Sequence, residues 1–127
     1  MDSPENFRRS IYRYLFRSIP DPFMDTLDCA DPSQLTPVRN VSMTALQALA
    51  MWNDALIVRQ SEHLAARLAL GKANGNLEKQ IIAAYHLTLG RAPTRSELKA
   101  LKTYATKHGM ANACRIILNS NEFTFVN

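Results

Sequence analysis

The residue types that could carry chemistry in this chain are three histidines, two cysteines and a thin scatter of serines and acids. A metal site needs ligands gathered at short spacing, such as His at i and i+4 on one helix face. His63, His86 and His108 fall on three different predicted helices, with no His or Cys at such spacing, and predict partly exposed side chains and no metal. Cys29 and Cys114 are far apart and outside any metal or redox spacing. They read as two buried free thiols; a disulfide stays open, because sequence does not show whether their Cα atoms lie within bonding reach. Ser10, Ser42 and Cys114 lack the Gly-x-Ser-x-Gly elbow of an activated nucleophile, and Glu62-His63 is not a His-Glu-x-x-His zinc motif. The loop "GKANGN" has a lysine without the Walker pattern that cradles phosphate. The expectation is no catalytic residue, no cofactor and no enzyme activity.

Charge offers two further chemistries. The stretch "YHLTLGRAPTRSELKALKTYATKHG" reads as two helices joined by a short turn, with Arg91, Arg95, Lys99, Lys102 and Lys107 available to phosphates. A helix-turn-helix-like nucleic-acid-binding domain is therefore the alternative reading. Against it, Lys99 and Lys102 flank the core positions Leu98 and Leu101 as ordinary solvated residues do, and charge alone gives only salt-sensitive, sequence-independent affinity. Nucleic acid is the disfavoured partner.

The second is "FRRSIYRYLFRS", residues 7–18, where arginines alternate with aromatic rings. Net charge is +4, but residues 1–35 carry four Arg against six acids and residues 36–127 carry eleven Lys and Arg against five acids. The opening arginines thus sit in the acidic part of the chain, directly before Asp21, Asp25, Asp28 and Asp31. Opposite charges about 4 Å apart attract by about 1 kcal/mol even in water, so pairing within the protein explains the arginine row more simply than a nucleic-acid surface. A membrane-lying helix is disfavoured, because the aspartates would be repelled by an anionic leaflet.

The elements that must position these residues are predominantly helical. Hydrophobic residues are 46% and charged residues 20% of the 127, ordinary globular usage that predicts one folded domain over 1–127. No apolar run approaches the ~18 residues of a bilayer span, and "MDSPENFRRS" predicts no export signal. Residues 7–18 fit an amphipathic helix, with a short strand as runner-up. Pro20 and Pro22 then stop regular structure; "DPFMDTLD" allows a turn or two of helix from an Asp21 cap, and 30–42 reads as an extended connector. The longest helical signal begins near Ser42 or Thr44 and ends at Gly71, with a break or kink expected at Asn53-Asp54. Asn76 is the expected cap of a helix closed by Gly90, and Thr94 with Glu97 forms a capping box for the next, which ends at Gly109. A last helix covers "MANACRIILNS", and the tail "NEFTFVN" alternates as a short extended segment. The predicted fold class is all-α: five or six helices in a compact bundle with short loops and an extended N-terminal connector.

Four phrases, "NFRRSIYRYLFRSIPDPFMDTLDCADPSQ", "RNVSMTALQALAMWND", "AYHLTLGRAPTRSEL" and "LNSNEFTFVN", stand in that order. Together they resemble the C-terminal domain of unknown function of large planctomycete-type surface proteins that also carry cytochrome-c-like modules, over about 6–127. The resemblance implies the C-terminal part of a larger family domain, a cell-envelope or exported location, and no biochemical activity to transfer. The parent proteins' Cys-x-x-Cys-His haem sites are not in this chain, so no haem is implied. The second half also looks like a recurrent helical hairpin of bacterial extracellular or linker proteins, which suggests scaffolding.

Within the family-like phrases, Arg8, Arg9, Arg39, Asn40, Gln47 and Asn53 could line a polar groove or touch a partner; equally, Arg and Asn tie loops to helix ends and buried carbonyls. The functional expectation is a non-catalytic interaction or scaffolding module whose partner is a protein or the upstream part of its own parent.

Overall fold

In the computed structural model the described residues are 12, 19, 22–27, 45–71, 73 and 75–124. They belong to two compact units, residues 1–42 and 43–127. In the first, α1 (Pro22–Thr26) opens with Pro22, whose fixed φ and missing N–H suit a first helical position. Thr26 Oγ1 donates to the Pro22 carbonyl at 2.6 Å and the Leu27 amide to the Phe23 carbonyl at 3.1 Å, closing the single turn. Tyr12 and Ile19 are exposed. The rest of the arginine-aromatic stretch, three of the four aspartates that follow it and the 30–42 connector lie outside the described residues.

The second unit contains α2 (Ala45–Asn53), α3 (Ala55–Leu70), α4 (Leu77–Leu89), α5 (Arg95–His108), α6 (Met110–Leu118) and the single turn α7 (Asn121–Thr124). Among the described residues there is no strand, and the fold is all-α. The break foreseen at Asn53-Asp54 is one residue wide. The Asp54 amide still donates to Ala50 of α2 at 2.8 Å, while its carboxylate accepts from the Leu56 amide at 2.7 Å and starts α3. Asn76 caps α4 by accepting from the Lys79 amide at 3.1 Å, and Gly90 ends it in the left-handed conformation, at φ 70°, that a side chain resists. Gly109, at φ 86°, ends α5 and starts α6 at once, so the corner between them needs no other linker residue.

Leu68 of α3, Ile81, Ala84 and Tyr85 of α4, Leu101 and Ala105 of α5, and Ala113, Cys114 and Ile117 of α6 form one buried cluster. Ile81 and Cys114 are its largest fully enclosed side chains. Cys114 is a free thiol, pushed up to about 12 by burial, which leaves almost no thiolate at neutral pH. Cys29 lies outside the described residues.

The tail corrects the sequence-based expectation. Residues 121–124 are helical, because the Ser120 carbonyl accepts from the Phe123 amide at 3.0 Å and the Thr124 amide at 3.1 Å, and its hydroxyl accepts from Phe123 at 3.3 Å. Alternation of apolar residues cannot compete with a serine that offers two acceptors to the same turn. Phe125 and Val126, the rest of the alternating pattern, lie outside the described residues.

Candidate functional site

Among the described residues, two places in the second unit bring ionisable side chains and a pocket together. The first is built on the capping box of α5. The Glu97 amide donates to Thr94 Oγ1 at 3.3 Å, and the Thr94 amide donates to Glu97 Oε2 at 2.6 Å. That holds the Glu97 carboxylate beside the α4–α5 turn, where Arg91 meets it. Arg91 Nη1 and Nη2 donate to Glu97 at 3.0 and 2.8 Å, Nε and Nη2 donate to Glu122 of α7 at 2.6 Å each, and Nη1 also reaches the Ala92 carbonyl at 3.1 Å. A guanidinium has five N–H donors, and these contacts use all of them. Its central carbon lies 5.3 Å from the centre of the Tyr85 ring.

The electrostatics follow from this geometry. Arg91 lowers the Glu97 carboxyl to about 2, with further help from the Thr94 amide and hydroxyl, and also holds Glu122 below its usual range. Arg91 itself is pulled further above its ordinary range, by Glu122 first and then Glu97. Burial, seconded by the Glu97 charge, raises the Tyr85 phenol. None of these groups titrates near neutrality, so the cluster is poorly suited to proton transfer and well suited to fastening α7 onto the α4–α5 turn. Beside it opens a groove of about 340 Å³, walled by Tyr85, Leu89, Leu101, Tyr104, Ile116 and Ile117.

The second place is the α3–α4 corner. A pocket of about 350 Å³ lies there, with Leu68, Ala83 and Leu87 as its apolar lining and Arg67 and Lys79 beside them. Both cations are exposed, and neither is paired with an acid among the described residues.

A third contact ties the bundle together. Arg115 of α6 donates from Nη2 to the Trp52 carbonyl of α2, with its guanidinium carbon 4.6 Å from the centre of the Trp52 ring. Its Nε is buried without a hydrogen-bond partner, and among the described residues the cation is held by the Trp52 ring and carbonyl.

Of the residues expected to line a polar groove, Arg8, Arg9, Arg39 and Asn40 lie outside the described residues. Gln47 is half-buried on α2. Asn53 is exposed at the end of α2 and donates from its amide nitrogen to the Leu49 carbonyl at 3.2 Å. The histidines sit on α3, α4 and α5, and His108 stacks on Tyr104 with ring centres 4.5 Å apart. Among the described residues no three His, Cys, Asp or Glu side chains gather closely enough to hold a metal ion. Among the same residues no helix is long and apolar enough to cross a membrane. Sequence reasoning did not find the Arg91–Glu122 and Arg115–Trp52 contacts. They join residues 31 and 63 positions apart, and no local pattern signals such pairs.

The family described as PSD1, protein of unknown function (DUF1553), matches residues 1–105. The chain belongs to the PSD1 family. The matched segment includes Arg91 and Glu97 and stops within α5, so Arg115 and Glu122, which close the two long-range contacts, lie beyond it. No curated protein and no solved structure matches the chain.

Proposed function

We propose that the chain is a non-catalytic helical interaction or scaffolding module, of the kind suggested by its resemblance to the C-terminal domain of planctomycete-type surface proteins. Its partner is a protein or the upstream part of its parent. The observation that carries this reading is the leucine face of α2 and the start of α3. Leu46 and Leu49, one turn apart, are 72% and 58% exposed, and Leu56 is 43% exposed. Single surface leucines are commonplace, whereas two exposed one turn apart on α2, with a third at the start of α3, are apolar surface that gains by being covered. The titratable groups support the non-catalytic part: Glu97 and Glu122 are held as weak bases, the Cys114 thiol is protonated, and Arg91 has no free donor.

The helix-turn-helix reading draws support from Arg95, Lys99 and Lys107 of α5, which pair with no acid among the described residues. It loses two of its five cations, because Arg91 is saturated by glutamates and Lys102 is paired with Glu78 at 2.9 Å. Photo-crosslinking in intact cells separates the two readings, with a photoreactive residue placed at position 49 or at position 99. The interaction module expects protein adducts at 49 and no nucleic-acid adducts at 99. Nucleic-acid adducts at 99 with none to protein at 49 would reverse the assignment.

A further inference from the structure

The acids of the second unit are all occupied. Residues 43–127 contain five, Asp54, Glu62, Glu78, Glu97 and Glu122. Asp54 caps α3, Glu62 pairs with Arg59 at 3.0 Å, Glu78 pairs with Lys102, and Glu97 and Glu122 share Arg91. The cations are in excess: Arg67, Lys79, Arg95, Lys99 and Lys107 pair with no acid among the described residues. The surplus charge at the α3–α4 corner differs from that on α5 in lying beside an apolar concavity. Arg67 lies in the last turn of α3 and Lys79 in the first turn of α4, and Leu68, Ala83 and Leu87 line with them a pocket of about 350 Å³. Leu87 is 52% exposed there, and Leu70, next to the pocket-lining Gly71, is 89% exposed.

We propose that this pocket docks an acidic segment of a partner protein: an aliphatic or aromatic side chain enters between Leu68, Ala83 and Leu87, and carboxylates flanking it pair with Arg67 and Lys79. The proposal rests on the interaction-module reading and names the chemistry of the partner. Charge complementarity selects an acidic partner, because this unit has cations left over and no acids to offer a basic one. The apolar lining selects a polypeptide over a nucleic acid. A phosphate backbone satisfies the two cations but supplies no aliphatic group to displace water from the leucines, whereas a peptide carries both kinds of group a few ångströms apart. An anchor side chain seated in a pocket with charges at its edge concentrates binding in a few contacts.

The test is fluorescence anisotropy of a fluorescein-labelled amphipathic peptide of leucines and glutamates, titrated with the whole chain at physiological salt. Arg67 and Lys79 are exposed and pair with no acid among the described residues, so their variants are expected to fold, which circular dichroism checks. Saturable binding is expected, weakened about tenfold by the double reversal R67E/K79E and comparably by Leu87→Asp. R95E/K99E should bind as the unaltered chain does, and a lysine-for-glutamate peptide should not bind. Equal binding by R67E/K79E, or no saturable binding at all, overturns the proposal, as does displacement of the peptide by random duplex DNA. Binding lost in L46D/L49D but retained in R67E/K79E would refute this pocket while leaving the interaction module in place. Protein adducts at position 49 bear on that module independently.

Discussion

Two pockets of nearly equal volume share α4 as a wall and differ in what has become of their charges. On one side, Tyr85 and Leu89 face the groove beside the Arg91 latch, where one guanidinium is consumed by two glutamates. On the other, Lys79, Ala83 and Leu87 face the α3–α4 pocket, where two cations have no acid partner among the described residues. A charge satisfied within the chain fixes structure; a charge left over beside an apolar surface is available to another molecule. Each side has one arginine among its lining residues, so the distinction comes from whether acids are within reach. Glu97 and Glu122 reach the first pocket, and no acid among the described residues pairs with Arg67 or Lys79.

The comparison can be broken most severely through the shared wall. Ile81→Ala removes a fully enclosed side chain from α4 and is expected to cost about 2–5 kcal/mol by chemical denaturation. Both pockets should lose definition together; a loss under about 1 kcal/mol would mean that α4 is not the common support. The same core shields Cys114. In a C29S background its reaction with thiol reagents at neutral pH should be suppressed at least about a hundredfold relative to the denatured chain, and ready labelling of the native protein would contradict its burial.

Capping and latch effects come next. Thr94→Ala removes the hydroxyl half of the capping box and should cost about 1 kcal/mol. For the latch, Glu97 and Glu122 are held below the usual carboxylate value near 4.5, so their stabilisation is fully present above it. It is lost as pH falls toward about 2, where Glu97 becomes protonated in the folded protein. Arg91→Ala is therefore expected to lower Tm by a few degrees at neutral pH, with the gap to the unaltered chain closing under acid. Water reaches all three partners, which keeps the effect small. A gap that persisted unchanged at low pH would show that Arg91 acts through its packing on Tyr85 instead. The smallest effect belongs to the other pocket: Arg67→Ala and Lys79→Ala should each change stability by under about 0.5 kcal/mol, because no partner is lost. A substantial loss there would erase the difference between the two sides.

Much of the helical framework was legible along the chain because its signals are local. Asp54 breaks the long helix, Asn76 and Thr94 start the next two, and Gly90 and Gly109 stop them, each acting within about four residues through its own backbone or side chain. The candidate sites were less legible. Arg91 and Lys102 both read as bases available to phosphates and Arg67 drew no reading at all, because nothing in their sequence neighbours distinguishes a base saturated by glutamates from one with no acid partner. The single turn at 121–124 was missed in part for a different reason: its Ser120 cap is local, but the alternation of Phe123, Phe125 and Val126 was weighed above it, while the pull of Arg91 on Glu122 comes from 31 positions away.

The sequence by itself determined an all-α chain, most helix ends in its second unit, and the excess of cations over acids in that unit. Tertiary structure decided which cations were neutralised, which leucines stayed exposed, and where a concavity formed beside unpaired charge. Helix ends depend on neighbours a few residues away and are written in order along the chain. Ion pairing between Arg91 and Glu122, stacking of Arg115 on Trp52, and the pocket between α3 and α4 depend on distances that exist only after the helices have packed.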